Sequence, residues 1–222
     1  MLTGQILFCE DRALLSISGN PAARNAVSEG LEVVFLEGKR NIEEALAHSL
    51  KELVVRAPFE KITIKQIADG AGVIRVTFYN HFQDKYDLLA WIVRSEILDP
   101  VRILVSNHMY RETLVLIFSN LMRDKEFYMR AARIEGQNSF ADIVNECAFR
   151  MVMDLFRERG TSTVHSSHQW LTIENLAKYY ANSMSYIILE WIRTGMSVPP
   201  EEMATIYEYI GTRSMWDMLD EF

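Results

Sequence analysis

The sequence predicts an all-α fold, and three observations carry that prediction. Apolar residues recur three and four apart from residue 41 onward, no segment shows sustained apolar/polar alternation of the β type, and the interruptions fall on Gly, Pro or short polar runs. The first helix is read over 41–56: Ile42, Ala45, Leu46, Ser49, Leu50 and Leu53 form one stripe, Asn41 is its expected N-cap, and Pro58 stops it. A short second helix follows Thr63, whose hydroxyl can cap it, and runs through Ile64, Ile67, Ala68 and Ala71 to a turn at Gly72. A third covers 75–82, and a fourth begins at Asp84 with Leu88, Leu89 and Ile92 facing inward. Further helices are expected at 101–122, 125–133, 139–158, 171–194 and 200–219. They are separated by Gly136, by Gly160 with the polar run 161–167, by Gly195, and by Pro199-Pro200 opening the last one. Residues 1–38 are expected to form a poorly ordered extension, for they lack a sustained period and contain Gly4, Gly19, Pro21, Gly30 and Gly38.

Composition narrows the function classes. The chain has 222 residues, 49% hydrophobic and 24% charged, which is ample for a buried core. No stretch reaches the roughly 18 apolar residues of a membrane span, and the apolar patch 6–9 lacks a positive flank, so no membrane segment or signal peptide is expected and the cytoplasm is the expected compartment. Cys9 and Cys147 are too few and too isolated for a disulfide framework or a zinc site. His165 and His168 lie in a Ser/Thr-rich run without a third ligand, so neither a metal nor a cofactor is expected. None of the nucleophile, zinc-protease, phosphate-loop or dinucleotide motifs occurs, which argues against an enzyme. The net charge of −7 excludes coating of nucleic acid through bulk positive charge, but it is unevenly spread: −3 over 1–38, +2 over 39–94 and −6 over 95–222.

The only net-positive segment holds the informative stretch, 59–89. Physically it is a helix, a tight turn at Ala71-Gly72-Val73 and a second helix presenting Arg75, Thr77, Asn80 and His81. Such a second helix can enter the major groove, where Arg pairs with guanine edges and Asn with adenine edges. Spacing alone is weak evidence and favours an ordinary αα-corner.

The run Thr63-Ile64-x-x-Ile67-Ala68-x-x-Ala71-Gly72-Val73, followed by Thr77-Phe78-Tyr79-x-His81-Phe82-x-Asp84-Lys85-x-x-Leu88-Leu89, resembles the DNA-binding domain of the TetR/AcrR family of bacterial transcriptional regulators over about residues 41–94. The resemblance implies a homodimer in which 39–94 binds double-stranded operator DNA and 95–222 senses an effector and dimerises through the last two helices. Carried over by position, Thr63 caps the second helix and touches phosphate; Arg75, Thr77 and Asn80 read bases; Tyr79, His81 and Lys85 hold phosphates; and Lys65 joins the DNA-contacting set. Ile74 departs from the Ser or Thr that the family often places there as a cap, and either meets a thymine methyl or packs inward. Phe78 and Phe82 are assigned to the core.

Farther on, 188–196 and 200–203 resemble the dihydroxyacetone-kinase-type branch, some members of which answer to a protein partner and some of which activate. Three readings follow from the resemblance: an effector-controlled repressor first, then an activator controlled by a protein partner, then an interaction module that no longer binds DNA. Trp170, Tyr179, Tyr180, Tyr186 and Trp191, with Met151, Met153 and Met184, suit the lining of an inducer pocket, but their helical spacing favours core or dimer interface, so no effector-lining residue is named and the effector is either a small molecule or a protein.

Overall fold

The computed structural model describes residues 21–136, 138–160 and 168–220, with backbone only for 21–37. Among the described residues there are helices and no strands. Their order is α1 Pro21–Arg56, α2 Ile64–Gly70, α3 Arg75–His81, α4 Lys85–Val93, α5 Arg102–Ser106, α6 Tyr110–Arg123, α7 Lys125–Ala131, α8 Phe140–Glu158, α9 Ile173–Arg193, α10 Pro200–Thr212 and α11 Met215–Leu219. Chain packing separates residues up to Ala45 from the unit Leu46–Phe222.

In the first unit only the upstream part of α1 is described. Asn41 is not an N-cap: the helix starts twenty residues earlier at Pro21, a residue favoured in a first turn because it has no N–H to leave unpaired. The span 21–38, expected to be poorly ordered, is therefore helical, whereas residues 1–20 and Cys9 lie outside the described residues. Lys39–Glu43 and Arg40–Glu44 ion pairs, each spanning one turn, lie along it.

The second unit opens with the rest of α1, whose Leu46, Leu50 and Val54 are buried together with Phe59, Ile62, Ile67, Phe78, Phe82, Leu88, Leu89 and Ile92. Aromatic edges tie this core: Phe78 meets Phe82 at 5.8 Å between ring centres, and Phe82 meets Trp91 at 6.0 Å. Ser49 donates to the Ile67 carbonyl at 2.9 Å, and a Cβ on Gly70 would collide with the same hydroxyl. That residue is glycine because α1 and α2 touch there.

Beyond α4 the chain makes one π-helical turn, Arg94–Leu98, and a short 3₁₀ turn, Asp99–Val101. The single helix expected over 101–122 is two, α5 and α6. The break is at His108, which takes the left-handed region at φ 59°, while Met109 N–H reaches back to the Leu104 carbonyl. The expected 200–219 helix is also split, because Ser214 and Asp217 form a capping box that starts α11 afresh. Ser139 and Thr172 cap α8 and α9, and Gly195, at φ 92°, follows α9. Phe118 sits at the centre of this part, edge-on to Trp191 at 5.1 Å and to Tyr207 at 5.8 Å. Lys51 of α1 holds Glu96 of the π-turn at 3.0 Å and Asp124, between α6 and α7, at 2.9 Å, so one ammonium ties three elements.

Candidate nucleic-acid interface

The helix-turn-helix is built from its caps. Thr63 and Gln66 form a reciprocal capping box at the start of α2, the Thr63 hydroxyl accepting from Gln66 N–H at 3.3 Å and the Gln66 side chain accepting from Thr63 N–H at 2.9 Å. Gly72, at φ 70°, makes the turn, a conformation that a residue with a Cβ adopts only at a cost. Ile74 precedes α3 with no side-chain cap and is 71% exposed, so the inward-packing alternative is wrong: Phe78 already fills the core beneath α3, at 0% exposure.

The structure brings Ile74, Arg75, Tyr79 and Asn80 together as an exposed face of α3 with its leading residue; Thr77 and His81 are half-buried at its margin. Val76, which sequence reasoning missed, is 63% exposed on that face. Its signal was available, since 76, 79 and 80 lie three and four apart, opposite the buried Phe78. Arg75 donates to the Tyr79 hydroxyl at 3.0 Å and lies 5.4 Å from its ring centre, so the guanidinium and phenol form one preset unit. His81 packs against the Phe82 ring at 6.3 Å. Lys65 stays on exposed α2, in an ion pair with Asp69 at 2.6 Å.

Lys85 is elsewhere. Its ammonium donates to the carbonyls of Phe59 at 2.7 Å, Ile62 at 3.0 Å and Glu60 at 3.3 Å, and lies 4.6 Å from the Phe59 ring centre. An ammonium has three N–H groups, and all three are used. Desolvation lowers the Lys85 pKa, with Glu60 and Asp84 acting in the opposite sense. Asp84 caps α4 through Tyr86 and Asp87 N–H groups at 2.8 and 2.9 Å.

Away from this face, Cys147 is buried on α8 and its pKa is raised to about 11, chiefly by desolvation, so it is a neutral thiol rather than a nucleophile. Among the described residues no His, Cys, Asp and Glu form a metal-binding group, and no helix is long and apolar enough to cross a membrane. His165 lies outside the described residues, and His168 is exposed. Of the aromatic and Met set, Trp191 is core, Met151 and Met184 line an internal cavity, and Trp170, Tyr179, Tyr180 and Tyr186 point outward.

Comparison with known proteins decides what this arrangement is. The family model for the N-terminal region of bacterial regulatory proteins of the tetR family matches residues 49–92, and a transcriptional-regulator C-terminal region of the same family matches 110–211. The chain belongs to the TetR family. It is a DNA-binding transcriptional regulator, and its helix-turn-helix implies operator binding. Over 174 residues it is 26% identical to the HTH-type dhaKLM operon transcriptional activator DhaS of Lactococcus lactis, covering 76% of this chain and 89% of that protein. Among solved structures, a dihydroxyacetone kinase operon activator DhaS superposes with a TM-score of 0.54 at 18% identity, covering 76% of this chain and 93% of that one. NalD, the secondary repressor of the MexAB-OprM efflux pump in Pseudomonas aeruginosa, gives 0.50 at 16%, covering 77% and 94%. These structural likenesses show a common fold, and that fold serves an activator and a repressor alike.

Proposed function

We propose that this protein is a homodimeric, operator-specific regulator whose DNA occupancy is set by an effector held in its C-terminal helices. Residues 39–94 serve as the DNA-binding domain and 95–222 as the effector and dimerisation domain. The observation that carries the reading is the exposed face of α3: Ile74, Arg75, Val76, Tyr79 and Asn80 project to solvent from a helix whose opposite side is anchored by Phe78. Arg75, Thr77 and Asn80 are assigned to base edges, and Ile74 and Val76 to thymine methyls. Tyr79, His81, Thr63 and Lys65 are assigned to phosphates, which fix register. Lys85 is given a positioning role, because its donors are spent on the 59–62 turn.

Dimerisation is assigned to α9 and α10. Their outward side carries Tyr179 and Tyr186, more than 60% exposed, with Ile210, beside a groove of about 690 Å³ lined by Tyr186, Ile187 and Ile210. Leu189 and Ile192 of α9, by contrast, are buried within the chain and belong to its core. In such a dimer the two α3 helices must lie about 34–36 Å apart to enter successive major grooves, so a small rotation of α4 abolishes binding.

Repression by operator occupancy is the expected mode. Activation is the second reading, favoured by the likeness to DhaS. Fluorescence anisotropy on DNA upstream of the protein's own gene tests the binding: Arg75→Ala should weaken it by about 1–3 kcal/mol, and Arg75→Lys should fail to restore it. Undiminished binding by Arg75→Ala would remove the assigned reading face. A promoter fusion compared with and without the regulator gene separates the modes, rising on deletion for a repressor and falling for an activator.

A further inference from the structure

Between the π-turn and α8 lies a groove of about 170 Å³, and behind it an inner cavity of about 50 Å³. Leu98, Cys147 and Met151 line both, so a thin partition that includes a flexible methionine separates them. The residues lining the inner cavity are apolar except for Tyr128 of α7, Ser185 of α9 and Tyr207 of α10, whose hydroxyls are buried and have no hydrogen-bond partner among the described residues. Native proteins seldom leave such groups unpaired, and these three come from three different helices that line one cavity. Burial raises the pKa of both phenols, Tyr128 further through Glu96 and Asp124, so both remain neutral O–H donors.

The groove adds the other half of a recognition pattern. Of its three arginines, Arg102 pairs with Asp99 at 3.9 Å and Arg150 with Glu146 at 2.7 Å. Asp154 is held by Arg157 at 3.0 Å, and Glu158 is exposed. Arg94, half-buried at the start of the π-turn, has neither an ion pair nor a side-chain hydrogen bond among the described residues. Together the two spaces are small beside the roughly 300–1,000 Å³ of drug-sized sites.

We infer that this groove and cavity bind a small organic carboxylate with an apolar body and a hydrogen-bonding group at its far end. The carboxylate meets Arg94, the body displaces Met151, and the distal group meets the Tyr128, Ser185 and Tyr207 hydroxyls. The inference rests on the effector-controlled reading above and gives that effector a chemical class. It also gives the effector a lever: Arg94 and Leu98 belong to the π-turn that ends α4, and Glu96 of the same turn holds Lys51 of α1. π-turns recur at functional sites, and this one joins the helix-turn-helix to the cavity wall.

The test is calorimetric titration of the full-length protein, without DNA, using 3-(4-hydroxyphenyl)propanoate, its methyl ester and 3-phenylpropanoate. The hydroxylated acid should bind at least tenfold more tightly than the ester, and Arg94→Gln should erase that difference. Tyr207→Phe should weaken the hydroxylated acid and leave 3-phenylpropanoate unchanged. Absence of binding by all three at millimolar concentration, or equal binding of acid and ester by the wild-type protein, overturns the site. The acid–ester comparison uses the wild-type chain, so a variant that fails to fold has no bearing on it. Operator anisotropy is then repeated with the acid present. Binding of the acid with unchanged operator affinity supports the site and overturns the effector reading.

Discussion

Replacing Lys85 by Met separates a DNA contact from a structural brace. The ammonium donates to the carbonyls of Phe59 and Ile62, residues that are each 3% exposed, and to that of the exposed Glu60. Methionine keeps most of the stem but removes the ammonium from two shielded carbonyls, of which that of Phe59 keeps only the Ile62 N–H at 3.1 Å. At about 1.5 kcal/mol for each of the two shielded charge-assisted bonds, and little for the third, the loss is about 3 kcal/mol. A chain of this size shifts by about 2–4 °C per kcal/mol, so the melting midpoint in far-UV circular dichroism should fall by about 6–12 °C. The same turn runs into Thr63, the cap of α2, so operator affinity should fall moderately as well. The number of phosphates neutralised should not change, and the slope of log affinity against log salt should therefore match the wild type. An unshifted midpoint, combined with a salt slope reduced by about 1 per subunit, would refute the brace and return Lys85 to the phosphate-contacting set.

Other expectations follow from single contacts. Gly70→Ala should destabilise by about 1 kcal/mol because its Cβ displaces the Ser49 hydroxyl from the Ile67 carbonyl, yet in a Ser49→Ala background it should be near neutral, as a double-mutant cycle in urea would read. Cys147 is held neutral in the fold to about 11 from an ordinary 9.0, so the unfolded chain releases its proton first. Its contribution is full below pH 9 and is lost as pH rises toward 11, which amounts to about 2–3 kcal/mol; Cys147→Ala should flatten that part of the stability–pH curve. Tyr186→Asp on the outward side of α9 should yield monomers in sedimentation velocity and lose operator binding, without lowering the helical signal.

Much was legible because local chemistry left marks. Thr63 with Gln66, Asp84, Ser139 and Thr172 are capping residues, Gly72, Gly136, Gly160 and Gly195 take positive φ, and the apolar spacing around Phe78 and Phe82 is that of a helix with one buried side. The breaks at His108 and Arg213–Ser214 were missed because neither uses Gly or Pro. The run upstream of Asn41 was missed because its glycines and weak periodicity hid a helix that starts at a proline.

What the sequence by itself determined is the helical class and the placement of the helix-turn-helix, because caps, turns and periodicity depend on residues within a few positions of one another. Only the tertiary structure decided how the named residues are used. Lys85 turns to the 59–62 carbonyls, Ile74 and Val76 are left outside by a core that Phe78 fills, and Arg94 faces a groove backed by three hydroxyls from distant helices. Each of these depends on contacts between positions tens of residues apart. No local pattern encodes them, because the competition that settles each side chain, between water, core and a particular partner, exists only once the helices have packed.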